Sequence, residues 1–181
     1  MEALHDVIKA GKVRYIGASS MWAWQFAKLQ HAADLGGWSR FVSMQNQYNL
    51  IKREEEREMI PMCADMGVGL IPYSPQAKGR VTRPWGEQTL RSANDPVADI
   101  YERDGDKGVV DAIEAVAAAK GVSMAKVALA WVLRNPTVSA PVVGATKSHH
   151  LPDAVAALDV NLTDEVVSAL LGAAAKQEVP A

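Results

Sequence analysis

The sequence holds one cysteine, Cys63, in 181 residues, so no intrachain disulfide can form. A lone thiol among seven methionines suits a reducing compartment, and a cytoplasmic protein is expected. No apolar run approaches the roughly 20 residues that a membrane-spanning helix needs, which leaves no membrane role to expect. The first residues, Met1 to Asp6, lack the basic and apolar regions of a signal peptide. Excess charge of either sign is also missing: 19 Lys and Arg stand against 21 Asp and Glu, for a net charge of −2. That balance excludes a basic nucleic-acid surface and an acidic tail. No G-x-G-x-x-G, G-x-x-x-x-G-K-[ST] or G-x-S-x-G motif occurs. Disorder is excluded by composition, at 49% apolar and 22% charged residues. The length suits a single domain, 1–181, able to bury a real core.

The most informative stretch is Val68-Gly-Leu-Ile-Pro-Tyr-Ser-Pro-Gln-Ala-Lys-Gly79. It opens as a short apolar run, the pattern of a buried strand. It then enters a polar loop, 74–107, far longer than the usual connection of about 4–6 residues. A long loop leaving the end of a buried strand is usually functional. Tyr73 and Ser74 sit at the junction, where a ring can cover a planar ligand and a hydroxyl with free N–H groups can meet an anion. A structural strand end followed by a solvated excursion has the same pattern.

Leu4, Val7 and Ile8 share one helical face, and Gly11 is placed to end that helix. Val13–Ala18 reads as a strand, after which Ser19 and Ser20 are available as caps. Trp22, Phe26, Leu29 and Ala33 recur at helical spacing up to Gly36-Gly37. Phe41–Gln45 is a second strand. Met59, Met62, Cys63 and Met66 mark a long helix ending at Gly67, which Pro61 should kink or delay. Strands starting near 13, 41 and 69 are about 28 residues apart, the size of a βα unit.

Beyond the loop, Val109, Val110, Ile113, Val116 and Ala117 make a helical face ending at Gly121. Ser123 caps a helix with Val127, Ala128, Trp131 and Val132, broken at Asn135-Pro136. Ala140–Gly144 is a fourth strand. Leu151, Val155 and Leu158 mark a short helix with Pro152 in its first turn, and Thr163 opens a last helix to about Lys176. Alternating strands and helices imply an α/β fold with a parallel sheet, whose ligands bind at the carboxyl ends of the strands.

The strand ends carry Ser19 and Ser20; Gln45, Gln47, Tyr48 and Asn49; Tyr73, Ser74 and Gln76; and Gly144, Thr146 and Lys147. Brought to one face, these groups suit a dinucleotide: an amide and hydroxyls for a carboxamide, a ring to stack, glycine N–H groups and a lysine for phosphates. Strand ends are also polar simply because they meet water. Other features point to structure. His149-His150 lacks further ligands at zinc-like spacing, so no metal is expected. Cys63 lies on an apolar helical face. Arg53–Glu58 reads as a solvated face with i,i+4 pairs. Of the tryptophans, Trp85 alone falls in the long loop, where it could line a substrate mouth.

Several runs together resemble the C-terminal half of an aldo-keto reductase. They are Gly11-Lys-Val-Arg-Tyr-Ile-Gly-Ala-Ser-Ser20, Met44-Gln-Asn-Gln-Tyr-Asn-Leu50, Pro72-Tyr-Ser-Pro75, Val127-Ala-Leu-Ala-Trp-Val-Leu-Arg134 and Val143-Gly-Ala-Thr-Lys147, followed by Leu158–Glu165. They stand in family order and cover nearly the whole chain. The long loop is similar to that of the branch with the potassium-channel β subunits and related bacterial reductases.

The resemblance implies half of a (β/α)8 TIM barrel, four parallel strands alternating with helices, and an NADP(H) cofactor held without a Rossmann motif. It places Ser19 and Gln45 at the nicotinamide carboxamide, with Ser20 where many members have Asn. Tyr73 matches the ring that stacks on nicotinamide. Ser74, Gln76 and Gly79 match the pyrophosphate loop, which Arg83 or Arg91 helps to close. Gly144, Thr146, Lys147 and His150 match the segment around the adenosine 2′-phosphate. Asp153 stands at an adenine-contacting acid, and Ala154 replaces the common Asn.

None of the family's catalytic Asp, Tyr, Lys and His has a counterpart here, so no catalytic residue is assigned. The resemblance implies reduction of a small-molecule carbonyl substrate by the intact fold, with this chain alone inactive. A non-catalytic cofactor-binding or interaction module, possibly a dimerised half barrel, is the alternative. Four strands would leave two unpaired edges. A homo-oligomer, a separate N-terminal half, or a truncated product is therefore expected.

Overall fold

A computed structural model describes residues 1–87 and 105–174. Three short parallel strands form the sheet: β1 (Gly17–Ser19), β2 (Ser43–Gln45) and β3 (Gly69–Leu70), in the order β1-β2-β3. Gly17 pairs with Ser43, and Ser43 with Gly69, so equivalent positions recur every 26 residues (43 − 17 = 69 − 43). Small residues are required at this level. A Cβ on Gly17 would collide with Ser43 Oγ, and one on Gly69 with Ser139 Oγ.

The strands begin later than the apolar runs suggest. Val13 and Tyr15, expected in β1, are exposed. Among the described residues no strand pairs with the outer edge of β1, and its ladder extends only where β2 supplies partners.

The expected fourth strand at Ala140–Gly144 does not form. The chain reaches β3 as a single parallel bridge, Leu70 with Val138, in which Leu70 N donates to Thr137 O at 2.8 Å and Ser139 N donates to Leu70 O at 2.8 Å. The next bridge in a parallel ladder would need the N–H groups of residues 72 and 141. Both are proline, and proline has no N–H. Val142 N donates instead to Pro72 O at 2.8 Å, one residue out of step.

Helices cover one face of the sheet. They are α1 (Glu2–Lys9), α2 (Ala23–Gly36), α3 (Met59–Asp65), α4 (Asp106–Lys120), α5 (Met124–Leu133), α6 (His150–Ala156) and α7 (Asp164–Ala174). Short 3-10 turns occupy Glu54–Glu56, Ala77–Thr82 and Ala157–Asp159. The expected loop 74–107 thus contains a helical turn and ends where α4 begins; its residues 88–104, including Arg91, lie outside the described residues. The expected long helix before Gly67 is the seven-residue α3, which starts so late that Pro61 falls in its first turn, where its missing N–H leaves no hydrogen bond unmade. No single helix among the described residues is long and apolar enough to cross a membrane.

One continuous core joins the sheet to the helices, through Phe26, Met44, Leu70, Val109, Ile113 and Trp131. Phe26 of α2 stacks on Phe41 at 5.8 Å. Buried Gln30 clasps the Phe41 backbone at both ends, its Nε2 donating to Phe41 O and its Oε1 accepting from Phe41 N, each at 3.0 Å. Trp22 and Trp24 do not join this core and are exposed, as are Leu151 and Val155 of α6 and Leu158 of the 3-10 turn after it.

Candidate functional site

Side chains alternate along β2 and its extension. Met44, Asn46 and Tyr48 are buried toward the helices, while Gln45 and Gln47 are half-buried on the opposite face. This alternation follows from the two-residue period of a strand. Below Asn46, burial pushes the Glu55 carboxyl above the usual carboxylate range, offset in part by the Asn46 amide. Asn46 Nδ2 is buried and closes no hydrogen bond of normal geometry.

Ser19, Ser20, Gln45 and Tyr73 converge. The Ser19 hydroxyl donates to Gln45 O at 2.8 Å, and Ser20 N donates to the same oxygen at 3.2 Å. Ser20 takes a left-handed backbone, φ 41°. Neither serine caps α2. That role falls to Trp22, whose N–H is held by Gln25 Oε1 at 3.1 Å. Tyr73 is pinned to the β2 extension by Tyr73 N to Asn46 O at 2.8 Å and Tyr48 N to Tyr73 O at 3.4 Å. A cavity of about 760 Å³ opens beside Ser20 and Tyr73, lined by Met21, Trp22 and Met59 and by the charged residues Glu54, Glu55, Arg57 and Glu58.

Beyond Tyr73 the backbone turns left-handed at Ser74, Ala77, Lys78 and Gly79, with φ of 51°, 47°, 54° and 94°. Gln76 precedes the 3-10 turn, and its carbonyl accepts from Gly79 N at 2.8 Å. Arg83 brings a guanidinium nitrogen to within 2.6 Å of where a Cβ on Gly79 would lie. Gly79 therefore meets both conditions that call for glycine, a positive φ and a close approach. Trp85 packs on the core with the Arg80 guanidinium 4.3 Å above its ring, so it is a packing residue and not a wall of the cavity.

The 144–153 segment is anchored beside Tyr73 by the Val142–Pro72 hydrogen bond. Gly144, Thr146 and Lys147 are exposed. Thr146 N donates to His150 Nδ1 at 3.2 Å, and His150 N to Lys147 O at 3.1 Å, folding the segment into a closed loop. His149 and His150 meet edge to face at 4.7 Å. The Asp153 side chain is 43% exposed and pairs with Lys126 of α5 at 3.2 Å. α5 packs against both the 77–82 turn and α6, and so ties the two loops to one support.

A second polar network escaped the sequence reading. Tyr48 donates to Glu56 Oε1 at 2.8 Å, and Arg53 grips the same carboxylate through Nε at 3.1 Å and Nη2 at 2.6 Å. The Arg53 guanidinium lies 5.8 Å over Trp131, whose ring is 5.1 Å from Tyr48. Burial pushes the Tyr48 hydroxyl far above its ordinary range. The expected i,i+4 pairs of this acidic stretch are thus an i,i+3 pair, Arg53–Glu56, set by the 3-10 turn.

Comparison with known proteins places this geometry in context. A family model described as "Aldo/keto reductase family" matches residues 1–174. Versiconal hemiacetal acetate reductase of Aspergillus parasiticus is 50% identical over 175 residues, 94% of this chain and 51% of that protein. A putative aryl-alcohol dehydrogenase of Schizosaccharomyces pombe is 47% identical over 173 residues, covering 94% and 49% of the two chains. One of Saccharomyces cerevisiae is 44% identical over 174 residues, covering 94% and 50%. The chain spans about half the length of the curated relatives it matches.

Proposed function

Because this chain belongs to the aldo/keto reductase family, we propose that it is the cofactor-binding, C-terminal half of an NADP(H)-dependent carbonyl reductase. This reading takes the three-stranded sheet and its single-bridge continuation as strands five to eight of a (β/α)8 barrel, nearest the branch with the potassium-channel β subunits. The convergence of Ser19, Gln45 and Tyr73 at one end of the sheet carries it. With its proton donated to Gln45 O, the Ser19 hydroxyl has lone pairs left to accept from a carboxamide NH₂. The Gln45 amide stands half-buried beside it. Tyr73 supplies a ring face, and the left-handed run to Gly79, with Arg83 beside it, makes a concave turn suited to a phosphate. Lys147 and His150, on the loop fixed beside Pro72, face the 2′-phosphate in this reading. The bound nicotinamide supplies a hydride to the carbonyl carbon, and the residues of this chain bind and orient it.

The cavity suits an uncharged aromatic or apolar carbonyl compound. Trp22, Met21 and Met59 give a wall for such a group, and the acidic excess left by Glu54 and Glu58 over Arg57 disfavours an anionic one. Relatives named for aryl alcohols and for a hemiacetal acetate agree with that class.

The catalytic acid comes from outside this chain. The outer edge of β1 is unpaired among the described residues, and Tyr15, Val42 and Val142 are exposed. A separate N-terminal half or a second copy of this chain covers that edge, in the cytoplasm. In the second-copy case the chain is a non-catalytic cofactor-binding module. Native mass spectrometry with and without NADPH tests the reading. A species carrying one NADPH per chain supports it, and a well-folded chain that carries none overturns it. Aldehyde-dependent NADPH oxidation by the chain alone would overturn the assignment of catalysis to an outside partner.

A further inference from the structure

Asn49 is fully buried at the end of the β2 extension, and both ends of its amide are engaged. Its Oδ1 accepts from Ile51 N at 3.0 Å and Lys52 N at 2.9 Å. Asn49 N donates to Lys52 O at 3.1 Å, which closes residues 49–52 into a knot. From that knot Asn49 Nδ2 crosses to the neighbouring loop and donates to Ser74 O at 2.9 Å. Ser74 O also accepts from Ala77 N at 2.9 Å. Ser74 is a non-glycine residue in the left-handed region, a conformation that persists only when its surroundings hold it. It lies between Tyr73, whose N–H is bound to Asn46 O, and the left-handed run that leads to Gly79.

We infer that Asn49 is a positioning residue. Its amide holds the Ser74 carbonyl, and through it the left-handed turn that sets the Tyr73 ring and the loop after it. This rests on the reading of Tyr73 and Ser74 as cofactor groups. Asn49 touches no cofactor; it acts through Ser74. The chemistry asks for an amide specifically. A carboxylate keeps the acceptor for Ile51 N and Lys52 N but turns an oxygen toward Ser74 O, replacing a hydrogen bond with a repulsion.

The test compares NADPH dissociation constants of the full chain carrying Asn49→Asp, Asn49→Ala or Gln30→Ala. Gln30 makes the same kind of buried double bond, but at Phe41, at the far end of β2. The expected result is a loss of NADPH affinity of tenfold or more for Asn49→Asp, larger than for Asn49→Ala. Gln30→Ala should lower the melting temperature while leaving affinity within twofold. Asn49→Asp with wild-type affinity overturns the inference, as does a parallel loss in Gln30→Ala. A folded wild-type chain that does not bind NADPH overturns the underlying reading and this role with it. If the Asn49 variants fail to fold, the wild-type chain still decides the matter by NMR. The Asn49 amide protons should exchange slowly and shift on NADPH addition while those of Gln30 do not; an unshifted Asn49 amide overturns the inference.

Discussion

The Ser19 hydroxyl donates to the Gln45 carbonyl oxygen at 2.8 Å, which ties the exposed end of β1 to the side chain-bearing end of β2. Ser19→Ala removes that bond from a solvent-exposed position, so stability should fall by only about 0.5 kcal/mol. NADPH affinity should fall about fivefold, the equivalent of about 1 kcal/mol. Fluorescence titration of folded protein reads the second effect separately from the first.

Tyr73 contributes a ring and not a hydroxyl. Tyr73→Phe should keep NADPH affinity within about twofold, whereas Tyr73→Ala removes a stacking contact of about 0.5–1.5 kcal/mol. Equal losses in the two variants would show that the phenol oxygen matters, against the stacking role.

Gly79→Ala tests the turn beyond Tyr73. The new methyl group would meet both a φ of 94° and the Arg83 guanidinium. A destabilisation of at least about 1 kcal/mol is expected from the backbone alone. Thermal unfolding should register it as a fall of about 2–4 °C for a chain of this size. Arg83→Ala added to Gly79→Ala relieves the contact but not the φ, so only partial recovery is expected.

Cys63 should be inert in the folded chain. It is fully buried, and burial first, then the Glu55 charge, pushes its thiol up to about 11. The unfolded chain releases this proton near pH 9, the folded chain only near pH 11. The folded state therefore binds more protons between those values, and the thiol's contribution to stability is lost as pH rises through that window. Denaturant midpoints measured at pH 8, 9.5 and 11 should fall in that order. Thiol labelling at pH 8 should wait on unfolding.

Tyr48→Phe deletes the hydroxyl that donates to Glu56 while leaving the Arg53 fork in place. A loss of about 1.5 kcal/mol is expected for a hydrogen bond to a charged acceptor. NADPH affinity should not change, because the Tyr48 side chain lies on the helix-covered face of β2.

Much of the helical plan was legible in the sequence, because helix ends are written locally. Gly37 and Gly121 stop α2 and α4 where expected, and Ser123 caps α5 through its hydroxyl. The placing of Ser19 beside Gln45, and of Tyr73 beside Gln47, at the carboxyl ends of the strands is legible as well, since such residues gather at one end of a parallel sheet. What could not be read is pairing at a distance. Pro72 and Pro141 are visible in the sequence, but only the register shows that each removes an N–H from the same bridge. The Lys126–Asp153 pair and the clasp of Asn49 on Ser74 are of the same kind, contacts between residues 27 and 25 positions apart that no local pattern encodes (153 − 126, 74 − 49).

The two prolines have a consequence for how this end of the sheet behaves. A seam whose next stitch lacks both of its threads cannot zip further, whatever the pH, salt or temperature. Past Val138 the chain is held instead by the out-of-step hydrogen bond from Val142 N to Pro72 O, so the 144–147 loop departs from a point fixed beside Pro72. That departure point is written covalently, in two five-membered rings that carry no N–H.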